Sequence, residues 1–328
     1  MEKKLVGISM IRNESDIIEA FVRHNLTLLD ELHIVDHGST DNSREILNRL
    51  KEEGLPIHIY YYNELEFIPV TILNNIMKNL VENDDAIDYI FPLDADEFIY
   101  CPSRERLELF LSFIPDDQVG MYTWRGYLPN DTEYNPYFIN TFTDQREENI
   151  LTPKVIVPKM VAKKDKLTIG SHFMVNEKNE DVKSVAFISS QHRSFHHWFL
   201  DKNRFDAKII ETEDFWIGHY PIRSANQQIK KVLEKSITMA IKEGGGEDAE
   251  WENQLKALLN YNMKVSLEEL RLIAFQYRAS NTEFSVKVSK QQVLSQQKLA
   301  LKYLDLIEDS PLPTVARLIL ELTDKLRK

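Results

Sequence analysis

The chain has 328 residues, one cysteine and a formal charge of -12, with 43% apolar and 28% charged residues. That length and balance allow a large buried core and describe an ordinary water-soluble chain. The acidic excess excludes nucleic acid as a partner by bulk electrostatics, and the lone Cys101 excludes an intramolecular disulfide and fits a reducing cytoplasm.

Leu5 to Met10 reads as a buried strand, followed by the polar run Arg12-Asn13-Glu14-Ser15-Asp16. Ile17, Phe21, Asn25 and Leu28 then recur at helical spacing. Glu31 to Val35 is a second strand, and Asp36-His37-Gly38-Ser39-Thr40-Asp41-Asn42 a tight polar loop. Asn42 and Glu45 have capping-box spacing for a helix carrying Ile46, Leu47 and Leu50. Gly54 ends it. Ile57 to Tyr62 is a third strand, residues 68–82 a helix, and Ile87 to Leu93 a fourth strand. Strands alternating with helices predict a parallel α/β sheet covered on both faces. Gly120 to Tyr127, Lys154 to Ala162 and Val185 to Ser190 also read as extended, and residues 129–153 as a long surface loop. From Ser224 the pattern is mostly helical, with breaks at Gly244-Gly245-Gly246, Asn262, Ser280-Asn281 and Ser310-Pro311. The organisation read from this is an α/β domain over residues 1–225 and a helical C-terminal region over 226–328. No apolar stretch approaches the roughly 20 residues of a membrane span, and the N-terminus reads as a strand, not a signal peptide.

Ligands of open parallel sheets bind beyond the carboxyl ends of the strands. Three polar clusters fall there: Arg12-Asn13-Glu14, Asp36-His37-Gly38-Ser39 and Asp94-Ala95-Asp96-Glu97. In an extended strand Asp94 and Asp96 would project together with Ala95 facing away. Two hard oxygen ligands in that arrangement suit Mg2+ or Mn2+ holding a diphosphate. Asp36 would accept a hydrogen bond from a base N–H, and Gly38 would let backbone come close.

These residues carry a resemblance. Ile34-Val-Asp-His-Gly-Ser-Thr-Asp-Asn-Ser43, the Asn13-Glu14 pair and Leu93-Asp-Ala-Asp-Glu-Phe98 resemble, in order and spacing, the signatures of family 2 glycosyltransferases. His219-Tyr-Pro-Ile-Arg-Ser224 and Gly170-Ser-His172 are similar to elements of a family 2 subgroup with family 92-like features. The resemblance implies a GT-A fold and inverting transfer of a hexosyl or N-acetylhexosaminyl group from a nucleotide-sugar, by default a UDP-sugar. The acceptor would be a glycan or a lipid- or protein-linked conjugate in polysaccharide assembly. It implies that Asp36 binds the base and that Ser9, Arg12, Asn13 and Glu14 line the nucleotide pocket. Asp94 and Ala95 would lie by the ribose, Asp94 and Asp96 would hold Mn2+ or Mg2+ with His219 completing the coordination, and Arg223 would meet the diphosphate. The chain departs from the family at His37, where a second acid is usual, and it has no Glu-Asp base motif at the usual distance.

The acceptor hydroxyl needs a base. Asp214, in Glu211-Thr-Glu213-Asp214, is the first choice, and His172 is a second possibility, as an acceptor contact or as part of the metal surround. His192, His196 and His197 lack a fourth clear ligand for zinc. The last helix carries a stripe of Leu312, Val315, Ile319, Leu322 and Leu326, expected to pack on the protein, pair two copies or touch a membrane surface. Two other function classes share these features: a silent sugar-nucleotide-binding scaffold, and a haloacid-dehalogenase-like phosphatase, which also ends a strand with Asp-x-Asp.

Overall fold

Residues 2–62, 69–147, 153–189, 207–241, 249–260, 262–276, 287–290 and 293–326 are described by the structure, a computed structural model. The apolar run Lys4–Ile11 (β1) suits a strand covered on both faces. It pairs in parallel with Glu31–Asp36 (β2) on one side and Ile87–Leu93 (β4) on the other, and Ile57–Tyr61 (β3) forms the edge beside β2. Ile18–Asn25 (α1), Ser43–Glu52 (α2) and Pro69–Asn83 (α3) connect them. Strand alternation divides the side chains between two layers. Leu5, Leu32, Ile34 and Ile57 pack with Phe21, Ile46, Leu47 and Leu50 of α1 and α2. Val6, Ile8 and Ile90 pack with Leu73, Met77 and Val81 of α3.

Downstream come Glu97–Tyr100 (β5), Arg104–Leu111 (α4), Val119–Gly126 (β6), Phe138–Thr141 (α5), Asp144–Glu147 (β7), Pro153–Pro158 (β8) and Lys159–Ala162 (α6). Lys166–Leu167 (β9), Met174–Val175 (β10), Ser184–Ile188 (β11), Ala207–Glu211 (β12) and Trp216–His219 (β13) follow. The sheet runs β12-β11-β6-β8-β4-β1-β2-β3. It is mixed, because β8 lies antiparallel to both β4 and β6. β13 pairs with β5 and β6 as a branch, setting His219 against Glu97 and Gly126.

The C-terminal part contains Ala225–Ile241 (α7), Ala249–Asn260 (α8), Leu267–Gln276 (α9), Lys287–Lys290 (β14) and Pro311–Leu326 (α10). Ser224 Oγ accepts the Gln227 N–H at 3.0 Å at the entry to α7, an N-cap bond. Residues 293–310 return to the first layer rather than continuing as helix. Leu294 joins its core, the Lys302 and Tyr303 N–H groups donate to the Glu19 carboxylate at 2.7 and 3.0 Å, and Asn42 Nδ2 donates to the Leu306 carbonyl at 2.8 Å.

Several expectations are corrected. The 129–153 loop contains α5 and β7, and β7 pairs antiparallel with β14, a strand inside the supposedly helical tail. Lys154 to Ala162 is strand only to Pro158, after which Lys159–Ala162 coils as α6. Asn42 makes no capping bond to α2; its Nδ2 donates to the Leu306 carbonyl. The α10 stripe divides: Val315 is buried, together with Leu318, while Leu312 and Ile319 are exposed. The side chains of Leu322 and Leu326, the histidines 192, 196 and 197, and the breaks at 244–246 and 280–281 lie outside the described residues.

Candidate functional site

Asp94-Ala95-Asp96 is not extended strand. The Glu97 N–H donates to the Asp94 carbonyl at 3.0 Å, closing a turn between β4 and β5. The two carboxylates therefore part. Asp94 is exposed at 54%, and Asp96 at 13% faces inward, with Oδ2 3.6 Å from His219 Nε2. Ala95 is buried at the turn.

A buried lattice supports this turn. Glu97, fully buried, accepts the Asp94 N–H at 2.8 Å and the Trp124 Nε1–H at 2.7 Å. Lys154, also fully buried, places Nζ 2.9 Å from Asp94 Oδ2, 3.3 Å from Glu97 Oε2 and 3.0 Å from the Gly170 carbonyl. Burial pushes the Glu97 carboxyl up to about 8, with Lys154 the main force against it. The Trp124 ring stacks on His219 at 4.1 Å and meets His172 edge-on at 5.4 Å. Gly170 permits the tight entry to this segment, having φ +73 and no room for a Cβ, which would fall 2.5 Å from His172 Nε2. His172 Nδ1 lies 2.8 Å from the Pro153 carbonyl, which can only accept. Nδ1 therefore carries a proton, which in the neutral ring leaves Nε2 as the accepting nitrogen.

Arg223 ties the first polar cluster and Asp16 to the segment that follows β13. Nε and Nη2 reach the two oxygens of Asp16 at 2.7 and 3.1 Å, Nη2 reaches Glu14 Oε2 at 3.1 Å, and Nη1 donates to the Tyr220 carbonyl at 3.0 Å. This is the bidentate fork of a guanidinium on a carboxylate. Burial pushes Asp16 up, but Arg223 and Lys230 outweigh it and hold the carboxyl low. Burial also raises Asp96, yet His219, Lys231 and Arg223 together keep it well below the usual carboxylate range. Glu14 is pushed by burial up to about 7, against the pull of Arg223.

Asn13 ties the first and second clusters together from a left-handed conformation, φ +57. Its Oδ1 accepts the Thr40 and Asp41 N–H groups at 2.7 and 3.1 Å, its Nδ2 donates to Glu234 at 2.7 Å, and its carbonyl accepts from Lys230 at 2.8 Å. Arg12 is half-buried and close enough to Glu234 and Lys235 to act on their charge. Ser9 Oγ is buried and, among the described residues, has no hydrogen-bond partner.

Asp96, His219, His172, Glu14 and Asn13 thus gather at the carboxyl edge of the sheet. Three expected roles do not fit their surroundings. Asp36 is fully buried, accepting the Ser39 N–H at 2.9 Å and pairing with Arg44, so it closes its own loop instead of presenting oxygens to a base. Arg223 is committed to Asp16 and Glu14 rather than open to a diphosphate. Asp214 sits beyond the Trp216 end of β13, roughly 16 Å along the strand from His219, and pairs with Arg106 at 3.1 Å. Its neighbour Glu213 is bound to Ser189 and Arg125, and Glu211 is exposed on β12. Lys154, Trp124 and Lys231 were missed, and Glu97 was seen as part of its cluster but given no role. The one available signal was Lys154 itself, a charge at the head of the apolar run Lys154-Val-Ile-Val, since lysine is almost never fully buried unless paired.

A divalent cation fits the inner pair. Asp96 stays ionised with an imidazole nitrogen 3.6 Å away, and a Mg2+-type ion is commonly held by one or two carboxylates plus phosphate oxygens. Asp94 stands aside with Lys154. Among the described residues, Asp94, Asp96 and His219 do not bring three ligand atoms within 4.8 Å of one another, so phosphate oxygens would have to complete the shell.

Among the described residues, no helix is long and apolar enough to cross a membrane. Residues 8–170 match the family model of glycosyl transferase family 2. An uncharacterized glycosyltransferase of Haemophilus influenzae is 26% identical over 174 residues, 52% of this chain. The chain spans 59% of the length of that curated relative. Among solved structures, a mannosyltransferase from Pyrobaculum calidifontis in complex with GDP-Man and Mn2+ aligns over 86% of this chain and 77% of its own, at 12% identity and a TM-score of 0.39. A putative glucose-1-phosphate thymidylyltransferase from Bacillus anthracis aligns over 66% and 88%, at 11% identity and a TM-score of 0.33. The fold class expected from the sequence, an α/β GT-A sheet with C-terminal helices, stands. Residues 8–170 of this chain are a glycosyl transferase family 2 domain.

Proposed function

We propose that this chain is an inverting, metal-dependent glycosyltransferase that moves a hexosyl or N-acetylhexosaminyl group from a UDP-sugar to a glycan or glycoconjugate acceptor on the cytoplasmic side. The carrying observation is the inner pair of Asp96 and His219 at the carboxyl edge of a family 2 domain, stacked on Trp124 and backed by a second imidazole. A scaffold reading has no specific observation in its favour, and the family match stands against the phosphatase reading.

In this reading Asp96 and His219 would hold Mn2+ or Mg2+, which when bound would neutralise charge building on the leaving diphosphate. Lys231 and Lys235 lie one turn apart on α7, and both act on the charge of Glu14 or Asp96. They supply positive charge beside the phosphates in place of Arg223, whose fork fixes Asp16 and Glu14. Asp94, steadied by Lys154, faces the ribose and sugar. His172 replaces Asp214 as the base: Nε2 takes the acceptor hydroxyl proton as that oxygen attacks the anomeric carbon opposite the departing diphosphate. The Pro153 carbonyl holds the required tautomer.

The test is turnover. Incubation with Mn2+ and a panel of UDP-, GDP- and dTDP-sugars should release nucleoside diphosphate from one donor class, and Asp96→Ala should abolish the release. Release from none, with nucleotide bound, would leave a silent binding protein.

A further inference from the structure

A second cluster of ligating side chains lies away from the cleft, at the amino-terminal end of the edge strands. Glu31 and His33 are two apart on β2, and His58 of β3 is the register partner of His33. Alternation therefore puts all three on one face, with Tyr60 two residues beyond His58. Glu31 lies roughly 16 Å along β2 from Asp36, the end nearer the proposed active site. A surface pocket lined by Tyr60, Asn75, Ile76 and Asn79 adjoins the cluster, between β3 and α3.

The distances suit a metal. His33 Nε2 is 3.2 Å from Glu31 Oε1, His58 Nε2 is 3.7 Å from Glu31 Oε2, and one ligand atom from each residue lies within 4.8 Å of the others. Ligands about 2.0–2.1 Å from a tetrahedral Zn2+ stand about 3.3 Å apart. The two imidazoles stack at 4.3 Å with planes 10° apart, so their lone pairs run side by side rather than converging. A modest rotation of His58, 53% exposed, would bring them together. Tyr60 Oη sits 2.8 Å from His33 Nδ1. Its hydroxyl donates while Nε2–H points at Glu31, and accepts from Nδ1–H when Nε2 must offer a lone pair, as a tyrosine can do either. The resident cation is Lys4, 3.3 Å from Glu31 but 2.6 Å from Asp84, so it retains a partner if displaced.

We propose that Glu31, His33 and His58 form a second metal site, taking a borderline transition-metal cation of the Zn2+ class with solvent at the remaining position. Two imidazoles and one carboxylate select this class over Mg2+ or Ca2+, which prefer oxygen. The site is separate from the cation of the proposed transfer reaction and does not depend on that reading.

Co2+ titration of the full chain tests it, with visible absorption as the readout. Asp96→Ala serves as the background, removing the cleft as a source of signal. One equivalent of Co2+ should produce an intense tetrahedral-type band that Zn2+ displaces and Mg2+ leaves intact. His58→Ala, an exposed position that should fold, should lose the band. Tyr60→Phe should weaken binding by about tenfold, as expected for an outer-shell partner, and Lys4→Ala should strengthen it. A band that survives His58→Ala, or no band at all in a folded sample, would overturn the proposal.

Discussion

Replacing Lys154 with Met removes a buried cation without removing the carboxylate beneath it. Lys154 and Glu97 are both fully buried, and their charged atoms lie 3.3 Å apart. Glu97 is raised above the ordinary value of an unfolded glutamate to about 8, so its folded form holds a proton that the unfolded chain has lost between about pH 4.5 and 8. In that window folding takes up a proton, and this group's contribution to stability falls as pH rises. Without Lys154 the carboxyl rises further, and the window extends above 8. Near pH 6.5 both proteins hold Glu97 neutral. The variant then loses only the Asp94 pair and the Gly170 hydrogen bond, about 1.5 kcal/mol. Above about pH 8 the wild type ionises Glu97 against Lys154 and the variant cannot. The deficit should then grow by about 1.4 kcal/mol per pH unit, reaching about 3 kcal/mol near pH 9. Urea unfolding at pH 6.5, 8 and 9 measures this, and Glu97→Gln in the same background should flatten the pH dependence. A deficit already complete at pH 6.5 and unchanged to pH 9 would show that Glu97 is ionised throughout and refute the reasoning.

His172→Gln should lower kcat by about 100-fold or more, the usual scale of general-base loss, while nucleotide affinity stays unchanged. A parallel loss of affinity would make His172 a structural residue. Arg223→Met should cost about 3–5 kcal/mol by stranding the buried Asp16 carboxylate. Asp16→Asn added to it should recover part of that loss in the same unfolding assay, and no recovery would contradict the pairing. Burial pushes the Cys101 thiol up to about 12, so iodoacetamide at pH 8 should label it slowly until the chain is unfolded. Rapid labelling of the native protein would contradict that environment.

The four leading strands and their helices were legible because each is a run of apolar residues bounded by polar turns, and such runs have few ways to be buried. The chemistry at Asp94 and Asp96 was legible as residue type but not as geometry. Alternation holds only while the backbone is extended, and a single Glu97-to-Asp94 backbone bond turns the pair apart. Asp36 shows the same limit from another side. Its partner Arg44 lies eight residues on, and nothing in the local pattern says that the pair forms. Trp124 lies on β6, Lys154 on β8 and Glu97 on β5, so their meeting is a property of the pairing of β6 with β8 and, through β13, with β5, which sequence periodicity does not carry. The mixed character of the tail was hidden for a related reason. β14 exists because β7 lies opposite it, and residues 293–310 fold back because Glu19, Asn42 and the first core receive them.

The central claim is a metal-dependent sugar-nucleotide site built on Asp96, and calorimetry of UDP with Mn2+ tests it most directly, with EDTA, GDP, dTDP and Asp96→Ala as comparators. The account predicts UDP binding that disappears both on chelation and in Asp96→Ala, in a variant that remains folded. Binding of no nucleoside diphosphate by the folded wild type, or UDP binding indifferent to metal and to Asp96, would contradict it.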